Sequence, residues 1–394
     1  MIVQVASMVE RVAKASLQSE VRLEEPSLKY SLKQPTAMDL FAGCGGMSIG
    51  LEKAGFKVIH ANEINKDAAS TYRRNFPNVE MMNVDIRKIN VRDLRRKLGY
   101  PEVDVIAAGP PCQGFSTAGK RNPRDSRNLM YKEVLRFVRE FNPKIVVVEN
   151  VVGMLLTAKG IVIKRIMSEF ASIGYYPYKR VLVASDFGVP QCRKRVFVIA
   201  STAKIDAQKL FPNAIGGKVS VFDAISDLAF LDVNENSESY QSLPSSDYQT
   251  LMRKNESSLF NHKSPDHSSR IQKRFELIPH GRNGRDFLPW TETSKRTYFK
   301  LHPNRVSMTL TTLPEDFIHY SKNRILTVRE MARLQSFPDN FEFLGPRTTG
   351  GPRRKFECPQ YTQVANAVPP LLAEAVFTNL AQILEQMGSF EVMS

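Results

Sequence analysis

Between Ala37 and Ala200 the chain alternates short apolar runs with amphipathic stretches, and the changes of period fall at glycines, prolines and small polar residues. Ala37 to Phe41, Lys57 to Ala61, Glu80 to Val84, Val103 to Ala108 and Ile145 to Val148 read as strands, whereas Met47 to Ala54, Ala68 to Asn75 and Tyr131 to Phe141 carry apolar residues at helical spacing. Strands alternating with helices predict an α/β fold built on a doubly wound, mostly parallel sheet. Two more apolar strands, Tyr178 to Ala184 and Arg195 to Ala200, close this half. Ahead of it, Val5, Met8, Val9, Val12 and Ala13 mark one amphipathic helix in an N-terminal extension over residues 1–35.

The pattern changes after Ser201. Residues 231–260 are rich in Ser, Asn and Asp with few apolar anchors and predict long loops. From 261 to 310 there are ten Lys or Arg against four Asp or Glu, interleaved with Phe275, Phe287, Trp290, Tyr298 and Phe299. A basic, aromatic-bearing stretch suits a nucleic-acid surface, and a solvated loop face is the plainer alternative. Gly345 to Lys355, rich in Gly, Pro and basic residues, then precedes a helical segment, Leu371 to Met387. The expected division is a large domain of residues 36–204 and 358–394, with a second, smaller domain of 205–357 between.

Composition narrows the class. Of 394 residues, 42% are hydrophobic and 24% charged, as in an ordinary globular protein. No apolar run reaches bilayer-spanning length, and Met1 to Glu10 lacks the features of a signal peptide, so a cytoplasmic protein without a membrane partner is expected. Cys44, Cys112, Cys192 and Cys358 contain no C-x-x-C pair, which argues against a metal site or a disulfide framework. The 55 Lys and Arg outnumber 40 Asp and Glu, a net charge of +15 that favours a polyanionic partner.

The candidate chemistry lies at the carboxyl ends of the strands, where open α/β sheets bind ligands. After the first strand comes Gly43-Cys44-Gly45-Gly46, after the second Glu63, after the third Asp85, after the fourth Gly109-Pro110-Pro111-Cys112, and after the fifth Glu149-Asn150. Gly43, Gly45 and Gly46 admit close backbone approach, and Glu63, 20 residues after Gly43, can take ribose hydroxyls. The loop departs from G-x-G-x-x-G, so a mononucleoside cofactor such as S-adenosyl-L-methionine fits better than a dinucleotide. Two prolines force a turn that displays Cys112. A thiolate there and a carboxylic acid at Glu149 suit addition to carbon 6 of a cytosine with support at ring nitrogen 3, which activates carbon 5. Lys120, Arg121, Arg124 and Arg127 could hold a phosphate backbone or be loop surface.

These blocks resemble the DNA (cytosine-5) methyltransferases of the prokaryotic modification type. The matching residues run from Asp39 to Gly46, through Gly109-Pro110-Pro111-Cys112-Gln113, Glu149-Asn150-Val151 and Gln191-x-Arg193-x-Arg195, to Arg324–Asp339 and Asn366-Ala-Val-Pro369. The resemblance implies an S-adenosylmethionine-dependent methyltransferase fold and transfer of a methyl group to a cytosine flipped out of double-stranded DNA, with S-adenosyl-L-homocysteine as product and no metal. It implies Cys112 as nucleophile, Glu149 at ring nitrogen 3, and Arg193 and Arg195 as orienting groups sharing one face of a strand. Phe41, Gly43, Gly45, Gly46, Glu63, Ile64, Asp85, Ile86, Pro111 and Asn366 are the implied cofactor-binding residues. Ala365 stands where the family has glycine, and a positive φ there would be strained. Residues 205–357 match the family's target-recognition domain in position, with Thr309-Leu310 as a shared element. Arg282, Asn283, Arg285, Lys295, Arg296 and Asn304 are candidate base readers. A monomer in the prokaryotic cytoplasm, acting with a separate restriction endonuclease or alone, is expected. The alternatives are a tRNA cytosine-5 methyltransferase, against which the large second domain and the absent Cys-Phe-Thr element count, and a silent DNA-binding regulator.

Overall fold

The computed structural model describes residues 34–111, 129–156, 160–254, 258–287, 298–349, 353 and 356–391. The expected N-terminal helix, Cys112, the basic residues 120–127, Lys295 and Arg296 lie outside them.

Five parallel strands, β1 (Thr36–Leu40), β2 (Lys57–Asn62), β3 (Glu80–Met82), β4 (Val105–Ala108) and β5 (Ile145–Val151), form most of the central sheet. β6 (Tyr176–Val183) leads through the two-residue β7 (Gln191–Cys192) to β8 (Lys194–Ser201). The strand order is β3-β2-β1-β4-β5-β8-β6, and β8 is antiparallel to both neighbours. The central strands read as unbroken apolar runs because both faces are covered. Met38, Leu40, Ile106, Ala108, Val146 and Val148 face α4 (Tyr131–Phe141) and α6 (Ile161–Ser172) in one core. Their neighbours Ala37, Val105, Ala107, Ile145 and Val147 share a second core with Leu51 of α1 (Gly46–Lys53) and Leu372, Val376 and Phe377 of α12 (Pro370–Glu391). The period-2 alternation of strand side chains therefore fills two layers, as a doubly wound sheet requires.

The last segment folds back onto this sheet. Within Gln360–Met387 a stretch of 18 residues has a mean hydropathy of 1.3, long and apolar enough to cross a membrane by length and composition. The segment is divided instead into α11 (Gln360–Asn366) and α12, whose apolar side chains pack on α1. Lys53 and Glu374 pair across the two helices at 2.7 Å. Ala365 lies within helical α11, without a positive φ, so alanine in place of glycine carries no backbone strain.

Between β8 and α11 the chain is mostly irregular, with α7 (Val221–Ile225), α8 (Asp247–Arg253), α9 (Ser269–Glu276), α10 (Val328–Leu334) and the two-residue strands β9 (Phe299–Lys300), β10 (Ser307–Met308) and β11 (Phe317–Ile318). The stretch expected as loops, 231–260, contains α8. Ser246 caps that helix through the Gln249 N–H at 3.1 Å, and Tyr248 and Met252 anchor it in the core. The centre of this region is ionic. Arg324, Arg329, Glu330, Arg333 and Asp339 are all fully buried. Arg324 grips both oxygens of Glu330 at 2.8 and 2.7 Å, and Arg333 pairs with Asp339 and Asp227.

Candidate active site

The loop after β1 turns abruptly. Phe41 adopts a left-handed conformation (φ 59°), as does Gly45 (φ 103°). A Cβ on Gly45 would lie 2.4 Å from the Phe76 ring, and one on Gly46 would lie 2.3 Å from the Val368 carbonyl oxygen. Glycine is thus required on both sides of the entry to α1.

Glu63 directly follows β2. One carboxylate oxygen accepts the Gly43 N–H at 3.0 Å and the other the Asn65 N–H at 2.7 Å. Each oxygen keeps a lone pair for a further donor, and burial raises the carboxyl pKa against these bonds. Ile64 beside it is 64% exposed, a large apolar side chain left open at the strand end. Asn83 fixes this corner by donating to the carbonyls of Glu63 and Ile64 at 2.8 and 3.0 Å. A carboxylate with spare acceptor capacity, an open apolar side chain and tight backbone turns fit an adenosine-bearing cofactor.

Not every predicted residue meets there. The Asp85 carboxylate is engaged by the Arg87 backbone N–H and guanidinium, which holds its pKa low, and the Ile86 side chain is buried in the core. Asn366 is exposed at the end of α11, and the Val368 carbonyl just beyond it closes over Gly46. Beneath the loop, unanticipated from the sequence, Asp39 is buried in β1. It accepts from Ser48 Oγ at 2.7 Å, while Ser48 and Tyr72 share a hydrogen bond of 2.7 Å. Burial lifts Asp39 to about 7. Its place in the Asp39-to-Gly46 block was the only sequence signal.

The second half of the site lies across β4 and β5. Glu149 sits inside β5, two residues before its end, because pairing with β8 continues through Val151 opposite Arg195. Glu149 and Arg195 are therefore diagonal neighbours on one face, and Arg195 Nε reaches Glu149 Oε1 at 2.9 Å. Burial raises the Glu149 pKa, opposed by Arg195 and, more weakly, Arg193. A Cβ on Gly109 would lie 3.8 Å from Glu149 Oε2 and 3.9 Å from the Phe41 carbonyl, which brings the two halves of the site together. The Asn150 amide donates to the Pro110 carbonyl at 3.1 Å, tying the turn before Pro111 to β5.

Arg193 lies in the break between β7 and β8, outside the strand that carries Arg195. The backbone bends between β7 and β8, where the Arg193 N–H returns to the Gln191 carbonyl at 2.9 Å. Its side chain is 2% exposed and donates to the carbonyls of Ala365 at 2.7 Å and Leu310 at 3.5 Å. Among the candidate base readers, Asn283 caps a short turn through the Arg285 N–H at 3.1 Å, and the Arg282 guanidinium stands over Phe287 at 5.7 Å. The Asn304 N–H donates to His302 at 3.2 Å.

A mostly parallel sheet that carries a glycine loop after β1, a carboxylate after β2 and a buried Glu-Arg pair on β5 and β8 is the architecture of the S-adenosylmethionine-dependent methyltransferase fold. The profile of the C-5 cytosine-specific DNA methylases matches residues 36–382, and the chain belongs to that family. It is 37% identical over 375 residues to the Type II methyltransferase M.DdeI of Desulfomicrobium norvegicum, covering 89% of each chain. It is 35% identical over 348 residues to the Type II methyltransferase M1.HphI of Haemophilus parahaemolyticus, covering 86% of this chain and 85% of that one. A crystal structure of a prophage-encoded Escherichia coli protein, assigned as a DNA modification methyltransferase, superposes with a TM-score of 0.74 at 26% identity, covering 89% of this chain and 99% of that one. The protein is a DNA (cytosine-5) methyltransferase that uses S-adenosylmethionine.

Proposed function

We propose that Cys112 adds to carbon 6 of a cytosine flipped out of double-stranded DNA, while Glu149 faces ring nitrogen 3. Formation of the sulfur–carbon bond pushes the ring electrons toward nitrogen 3, where Glu149 donates a proton. Burial favours the protonated carboxyl, and Arg195 fixes its orientation. When bound, S-adenosylmethionine supplies the electrophilic methyl group that carbon 5 takes up. A base then removes the carbon 5 proton, the electrons expel the Cys112 thiolate, the nitrogen 3 proton returns to Glu149, and the product is 5-methylcytosine. Extruding the base costs roughly a few kcal/mol.

Glu63, the Gly43–Gly46 turn, Phe41 and Ile64 are the proposed cofactor contacts, with Asn366 and Pro111 at the rim. Asp85 and Ile86 contribute by shaping the loop after β3. Arg195 is the orienting arginine, and Arg193 acts as a positioning residue. Residues 205–357 form the proposed target-recognition region, with 36–204 and 358–394 as the catalytic part. The enzyme is a cytoplasmic monomer that modifies one DNA sequence without a metal, alone or beside a separate endonuclease.

The observation that carries this reading is the Glu149–Arg195 pair lying beside Gly109. It is tested by bisulfite sequencing of DNA from cells expressing the protein, followed by kinetics of Glu149→Gln. Unconverted cytosines at one recurring sequence are expected. The variant should transfer about 10²- to 10⁴-fold more slowly, with S-adenosylhomocysteine binding retained. A blank map, or a variant at full rate, refutes it.

A further inference from the structure

Leu310 is tied to the last block by two side-chain bridges. Its N–H donates to Gln191 Oε1 at 3.0 Å. The side-chain amide nitrogen of Gln191 donates to Gln335 Oε1, and the Gln335 side-chain nitrogen donates to the Ala367 carbonyl at 2.6 Å. The Leu310 carbonyl accepts from Arg193 at 3.5 Å, and Arg193 also donates to the Ala365 carbonyl at 2.7 Å.

The direction of the amide chain is fixed at both ends. The Leu310 N–H can only donate, so Gln191 must offer it oxygen. The Ala367 carbonyl can only accept, so Gln335 must offer it nitrogen. The two glutamines are fully buried, and chained hydrogen bonds of one polarity strengthen each other in a low dielectric. Both ends of the relay lead to a site. Thr309, next to Leu310, donates to the Cys192 carbonyl at 2.9 Å where β10 pairs with β7. Beyond Ala367, the Val368 carbonyl abuts Gly46, and Ser336, next to Gln335, holds the Leu371 N–H at the start of α12 at 3.1 Å.

We infer that Gln191 and Gln335 are positioning residues whose amide relay couples the seating of DNA on the 205–357 region to closure of the last block over the cofactor loop. The inference rests on the proposed recognition role of that region. By reciprocity, cofactor and DNA then strengthen each other's binding by one common factor.

The test is calorimetric titration of S-adenosylhomocysteine with and without a saturating duplex carrying the bisulfite-mapped site. In the wild type the duplex should tighten binding by about 5- to 150-fold, the usual span of such coupling. Gln191→Glu sets two acceptors face to face at constant size, and Gln335→Met removes the donor to Ala367 without adding charge. Either should bring the factor to within about twofold of one while changing DNA-free S-adenosylhomocysteine affinity much less. A wild-type factor of one, or variants that keep the wild-type factor, overturns the relay. Should both variants fail to fold, hydrogen exchange on the wild type decides: S-adenosylhomocysteine alone should slow exchange across residues 307–312, and unchanged exchange there overturns the relay. A blank bisulfite map would instead mark failure of the functional reading.

Discussion

Two buried carboxylates, Asp39 under the cofactor loop and Glu330 in the ionic centre of the 205–357 region, have opposite acid–base behaviour. Both are fully buried, and burial raises the pKa of each. Asp39 has a hydroxyl partner, Ser48, and is driven up to about 7. Glu330 is gripped by Arg324, with His319 Nε2 3.6 Å away, and is held down at about 2. Burial prevails at Asp39, and a cation in contact reverses its effect at Glu330. The sheet region is an apolar core in which Asp39 is buried without a cation. The 205–357 region is held by matched charges, where each partner depends on the other.

The largest expected effect comes from breaking a matched pair. Arg324→Ala leaves Glu330 buried without its cation and should cost about 3–5 kcal/mol in urea unfolding. Converting Arg324 to Met and Glu330 to Leu together should recover most of that loss. Because the folded pKa of Glu330 lies below its unfolded value, the pair's stabilisation is present above about pH 4.5 and lost as pH falls toward about 2. Urea melts of Arg324→Ala should lack that acid limb.

Asp39 gives the opposite slope. Its folded pKa is raised from 3.8 to about 7, so wild-type stability from this group is present in acid and falls as pH rises through that window. Asp39→Asn should remove a dependence of at most about 1.4 kcal/mol per pH unit, read from melts between pH 4 and 8. An unchanged slope would show that Asp39 stays ionised in the fold. Ser48→Ala should have the smallest effect, about 1 kcal/mol, and should push the Asp39 midpoint higher because the hydroxyl favours its ionised form.

The same contrast separates what the sequence revealed from what it hid. Val105–Ala108 and the Ile145–Val148 part of β5 were legible because burial on both faces leaves an unbroken apolar run, whereas the end of β5 through Glu149 and Asn150 was not. Glu63 and Glu149 followed from the rule that strand ends carry the site. The ionic centre was hidden, since Arg324, Arg329 and Arg333 carry no local sign of burial until Glu330, Asp339 and Asp227 are brought around them. Arg193 lies in the break between β7 and β8 and not on the strand with Arg195, though its charge still acts on Glu149. Gln191 and Gln335 lie 144 residues apart, and no local pattern announces their contact.

The central claim is that the turn after β4 presents a cysteine nucleophile to a cytosine held against Glu149. Duplex DNA carrying 5-fluorocytosine at the bisulfite-mapped site tests it most directly, because fluorine cannot leave carbon 5 as a proton does. With S-adenosylmethionine present, mass spectrometry should find a covalent protein–DNA adduct on the peptide containing Cys112. Absence of an adduct, or one at Cys44, Cys192 or Cys358, would contradict the account.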